Sequence, residues 1–85
     1  VNKTQKLEIL QVLGADALSR IQAGDPYVID TGTFQLVQFW LYGHECEYYF
    51  NTEPVLLRQV ETDQEFLTFN QLERAIHVTN YSPTV

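Results

Sequence analysis

The side chains that could do chemistry in this 85-residue chain are two histidines, one cysteine and a surplus of carboxylates. His44, Cys46 and His77, with the neighbouring Glu45 and Glu47, include the ligand types of a zinc site. Cys46 and His77 are also the parts of a thiol nucleophile and its base. The local pattern opposes both uses. In an extended segment successive side chains alternate, so Cys46 points away from Glu45 and Glu47. A thiol beside Leu41 in an apolar, acidic setting also holds its proton rather than forming a reactive thiolate. The sequence therefore leads us to expect no metal site, no catalytic residue and no cofactor. One cysteine also excludes an internal disulfide and a cysteine-rich metal cluster.

A further carboxylate lies in Asp30-Thr31-Gly32, directly after the apolar run Tyr27-Val28-Ile29. This tripeptide resembles the active-site loop of aspartic proteases. In the retroviral type the resemblance implies a dimer in which each subunit supplies one such carboxylate and the two share a proton. It extends only over Tyr27–Gly32. Residues 4–23 read as helix where that family has strands, no glycine-rich flap follows, and Asp-Thr-Gly between two strands is also ordinary turn chemistry. A dimeric aspartic hydrolase is thus a minor alternative to a non-enzymatic protein. Leu7–Ala23 is superficially similar to a helix-turn-helix around Gly14-Ala15-Asp16. Its second helix offers only Arg20 to DNA phosphates, so an amphipathic helix packing on a sheet is the expected structure.

The elements that would position these groups follow from periodicity. Asn2 or Thr4 can cap a helix carrying Leu7, Leu10, Leu13, Leu18 and Ile21, with Gly14 as a bend or break and Gly24-Asp25-Pro26 as the stop. From Tyr27 the period becomes two. Strands are expected at Tyr27–Asp30, Phe34–Tyr42, Glu45–Thr52, Val55–Val60 and Phe66–Thr68, with turns at Thr31-Gly32-Thr33 and Glu53-Pro54 and a charged loop at Glu61–Glu65. Gly43-His44 reads as a two-residue type II′ turn that sets Tyr42 opposite Glu45, Leu41 opposite Cys46 and Trp40 opposite Glu47. Asn70 and Glu73 form a capping-box pattern for a short helix through Ile76, and residues 78–85 read as a loose tail. The expected fold is one α+β domain over residues 1–85. It consists of an antiparallel meander sheet of three to five strands, covered by a long N-terminal helix and a short C-terminal helix.

The hairpin sorts its side chains into two faces. Val37, Phe39, Leu41, Cys46, Tyr48 and Phe50 form an apolar face for the helices to cover. Trp40, Tyr42, Tyr49, Glu45, Glu47 and Gln38 lie on the other face and are the candidate binding residues, because interfaces are enriched in large aromatics with a polar tip. Charge concentrates there too. Residues 25–65 hold eight acids and one base, Arg58, whereas the rest of the chain carries a small positive excess. Eight of the eleven aromatics fall in the same stretch.

Composition bounds the function. The chain is 45% apolar and 13% aromatic, enough to fold, but a domain of this size buries little more than about 60% of its unfolded surface. A net charge of −6 and a pI near 4.6 argue against direct nucleic-acid binding and against an anionic membrane partner. No apolar run approaches the roughly 18 residues of a membrane span. The single cysteine fits a reducing cytoplasmic location, and Val1 at the start fits a trimmed terminus. The resulting expectation is a small non-enzymatic protein-binding or accessory protein that acts as a homodimer, its partner another protein or a second copy of itself. An acidic nucleic-acid mimic that occupies a basic nucleic-acid-binding protein is the alternative.

Overall fold

The computed structural model describes residues 3–22, 28–30 and 34–81. In chain order the elements are α1 (Lys3–Leu10), a 3-10 turn (Gln11–Leu13), α2 (Ala15–Arg20), β1 (Ile21–Gln22), β2 (Val28–Asp30), β3 (Gln35–Leu41), β4 (His44–Tyr49), β5 (Leu56–Gln59), β6 (Gln64–Phe66) and α3 (Phe69–Tyr81). The α+β class and the antiparallel sheet agree with the sequence reading. The expected helix stop at Gly24-Asp25-Pro26, the turn at Thr31-Gly32-Thr33 and the last four residues lie outside the described residues.

All strand pairs are antiparallel, in the order β1-β3-β4-β5-β6, with β2 also beside β3. β4 occupies one edge of β3 through Leu36–Leu41, so β1 and β2 share the other edge, β1 at Trp40 and Leu41 and β2 at Gln35–Val37. Six strands thus fill five positions.

The helices are inverted in length relative to expectation. The N-terminal helix is short: α1 has 8 residues and α2 has 6. Gly14 separates them at φ 101 and ψ 158, far from helical geometry and open to glycine alone without strain. Its N–H closes the 3-10 turn on the Gln11 carbonyl at 3.0 Å, and its own carbonyl receives the Leu18 N–H to start α2. The break resets the buried face, so Ala17 is buried in the core while Leu18 packs against it only partly buried. Ile21 is already extended and pairs with Leu41.

The C-terminal helix is the long one, 13 residues, and it continues through part of the expected tail. It starts at Phe69 because the capping box belongs to Thr68 and Gln71. The Gln71 N–H donates to Thr68 Oγ1 at 3.2 Å, and Gln71 Oε1 accepts from the Thr68 and Leu67 N–H groups at 3.3 and 3.1 Å. Beyond that start no Gly or Pro stands before Pro83.

The turn of the central hairpin is Tyr42-Gly43, with φ of 52 and 79, the type I′ pattern of two positive values. Leu41 therefore pairs with His44, Trp40 with Glu45 and Phe39 with Cys46. Each β3 residue faces the residue two before the one expected in β4. A shift of two preserves alternation, so the strands keep their expected faces. Val37, Phe39, Leu41, Cys46, Tyr48 and Leu57 pack with Leu10, Ala17, Phe69, Leu72 and Ile76 into one core, so the helices cover that face, α3 with a clearly amphipathic pattern.

Candidate functional site

The opposite face of the sheet carries the expected binding residues, and the structure divides them into three groups. The first is a network around Glu47, which is only 8% exposed. Arg58 stands across from it in β5 and donates from Nη1 to Glu47 Oε1 at 2.6 Å. Tyr49 donates its hydroxyl to the same oxygen at 3.1 Å, and Gln38 donates from Nε2 to Oε2 at 3.4 Å. Arg58 also donates from Nε to Asp63 Oδ1 at 2.7 Å. Its guanidinium is held firmly protonated, first by Asp63 and then by Glu47. Burial and the Glu47 charge together raise the Tyr49 phenol above its ordinary value. The Tyr49 ring also leans on Phe34, centroids 5.3 Å apart. Gln38, Glu47 and Tyr49 are thus engaged with one another and with Arg58, and Glu47 presents no free carboxylate.

Tyr42 forms the second group, away from the expected face. At φ 52 its backbone turns the ring toward α3, where the hydroxyl donates to Glu73 Oε2 at 2.8 Å and the ring lies 4.7 Å from that of His77. Glu73 receives Arg20 Nη1 on its other oxygen at 2.7 Å. The hydrogen bond to Glu73 holds the Tyr42 phenol above its ordinary value. This cluster joins α2, the hairpin tip and α3. The sequence signal for it was Tyr before Gly at a turn, an unusual residue where Asn or Asp is the common choice.

The third group is Trp40 and Glu45, directly opposite each other beside the turn of the hairpin. Trp40 is 40% exposed, and Gln22 flanks it from β1. Among the described residues no ion pair or hydrogen bond reaches the Glu45 carboxylate, whereas Glu47, Asp63 and Glu73 each pair with an arginine and Glu61 meets the His44 ring. The Val60 N–H donates to the Glu45 carbonyl at 3.1 Å and fixes the backbone on the far side. Of the six expected residues, these two are the ones on the sheet face that remain free for a partner.

The groups first considered for chemistry lie apart. Cys46 is fully buried, and burial, reinforced by Glu61, Glu45 and Glu47, pushes its thiol up to about 12. His44 is tied to Glu61 at 3.2 Å on the core side of the hairpin end, while His77 belongs to the Tyr42 cluster. Among the described residues no three of His, Cys, Asp and Glu gather into a metal-binding group. Asp30 ends β2 opposite Gln35, and Thr31 and Gly32 of the protease-like tripeptide lie outside the described residues. A cleft of about 600 Å³ between the starts of α2 and α3 includes Arg20, which is already committed to Glu73. Among the described residues no helix is long and apolar enough to cross a membrane. Compared with known proteins, the chain matches no family model, no curated sequence and no solved structure.

Proposed function

We propose that this chain is a non-enzymatic protein-recognition module that binds a basic partner protein through its open sheet face. The observation that carries the reading is Trp40, a large aromatic left two-fifths exposed on the sheet face opposite the one that packs into the core. Keeping such a side chain in water forgoes burial of about 2 kcal/mol or more, and exposed aromatics of this kind anchor interfaces. Charge selects the partner. Residues 25–65 hold eight acids against Arg58 alone, and Arg58 is neutralised internally. A basic surface would be steered to this face and a second copy of it repelled, so a different protein fits better than a homodimer. The nucleic-acid-mimic reading needs a row of free carboxylates, and Glu47 is withdrawn from any such row by Arg58.

A photo-crosslinking side chain at Gln38, on this face, with one at Gln11 on the helical side as control, tests the reading in cells. A discrete adduct from position 38 alone, identified by mass spectrometry as a basic protein, is the expected result. Equal adducts from both positions, or none from 38, would refute it. An adduct with a second copy would restore the homodimer.

A further inference from the structure

We infer that Trp40 and Glu45 form a seat for one arginine side chain of the partner, a deepening that rests on the recognition reading above. The two residues face each other across β3 and β4, which places their Cβ atoms roughly 4.5–5.5 Å apart on the same side of the sheet. The exposed indole offers a π-face, the best of the aromatic surfaces for a cation. The Glu45 carboxylate beside it is without a cationic partner among the described residues. Of the described arginines, Arg58 is already bound to Glu47 and Asp63 and Arg20 to Glu73, and Arg74 belongs to α3, which packs on the opposite face of the sheet. The charge must come from outside.

A guanidinium suits this pair better than an ammonium. It is flat, so it can stack on the indole while its N–H fork reaches the neighbouring carboxylate, whereas a lysine satisfies the two only as a point charge. The seat is also held in place beforehand. Trp40 lies on a strand paired on both edges, with β1 on one side and β4 on the other, and the Glu45 backbone is fastened to Val60. Gln22, beside Trp40 in β1, and Gln38, two residues before it on the same face of β3, supply neutral hydrogen-bonding groups at the rim without competing charge.

The test uses the whole chain and a capped Gly-Arg-Gly peptide as probe, followed by NMR. The Trp40 indole N–H is a unique reporter because the chain has one tryptophan. The arginine peptide should move that resonance saturably, with a dissociation constant on the order of millimolar, as one small contact allows. The lysine peptide should bind more weakly, and the citrulline peptide, which keeps the shape and loses the charge, should leave the resonance in place. Glu45→Gln should weaken arginine binding by roughly tenfold or more, while Glu8→Gln, an exposed acid on α1, should not. Equal binding of citrulline, an equal effect of both substitutions, or no shift at all would overturn the seat. If the arginine peptide fails while the Gln38 crosslink to a basic protein still forms, the seat is wrong and the recognition face stands. If neither appears, both fall.

Discussion

Burial raises the Cys46 thiol from 9.0 to about 12, so the native chain keeps this proton over a pH range in which the unfolded chain has lost it. Native binding of more protons than the unfolded state makes stability fall as pH rises, starting near 9 and continuing toward 12. The thermal midpoint should decline across that window, and Cys46→Val should flatten the decline. An unchanged slope in the variant would show that the thiol is not responsible. Gln59 is the opposite kind of buried group. It is fully enclosed, opposite Cys46, and neither its Nε2 nor its Oε1 has a partner. An unpaired buried amide costs about 1–3 kcal/mol, and Gln59→Met keeps the length while removing it. That variant should unfold at higher denaturant concentration than the parent, by about 1 kcal/mol. A loss of stability would mean that the amide is satisfied in solution, most simply by water. The fate of Gln59 was not legible in the sequence, where it reads as an ordinary polar position, whereas the retained proton of Cys46 is expected from its apolar, acidic surroundings. The sorting of Cys46 to the apolar face was legible, because alternation alone decides it.

At the level of elements, the sheet was legible where a period of two ran unbroken and the helices were not. Gly43 is compatible with a turn at either Tyr42-Gly43 or Gly43-His44, and the sequence reading takes the second, an even step from the register found. Facial assignment survives an even step and cross-strand partners do not, which is why Trp40 meets Glu45 rather than Glu47. Helix ends were misread for a different reason. Asn70 and Glu73 match a capping pattern as well as Thr68 and Gln71 do, and tertiary packing of Phe69 at 8% exposure favours the earlier start. Thr68→Ala should therefore cost about 0.5–2 kcal/mol in a denaturant titration, and Asn70→Ala much less. Equal losses would return the cap to Asn70. Gly14→Ala makes the matching test at the other end of the chain. A Cβ there meets nothing within 4 Å, so any loss reflects the φ of 101 alone, and about 1–3 kcal/mol is expected.

For the whole molecule, the sheet edges bear on association. β6 is three residues long with Glu65 at its centre, so antiparallel pairing with a second copy about that centre would set like charges together. The other edge is divided between β1 and β2. With a net charge of −6 concentrated in residues 25–65, the protein should sediment as a monomer at low ionic strength. Any self-association should grow as salt screens the repulsion over roughly 8–10 Å. A dimer that dissociates on adding salt would contradict this charge argument. The overall charge imbalance was plain from composition. Which carboxylates stay free was not, because Arg58 chooses among Glu47, Asp63 and Glu65 only once β4, β5 and β6 are side by side.

The bridge from Arg20 through Glu73 to Tyr42 spans residues 53 and 31 positions apart in the chain. It rivets the tip of the hairpin to the longest helix and to the segment that precedes the first strand. Amide hydrogen exchange should accordingly find Leu41 and Ile76 opening together, as parts of one cooperative unit, rather than the C-terminal helix peeling away first. Tyr42 stands two residues after Trp40, with only the core residue Leu41 between them, so a load placed on the indole has a short route into the helical layer on the far side of the sheet.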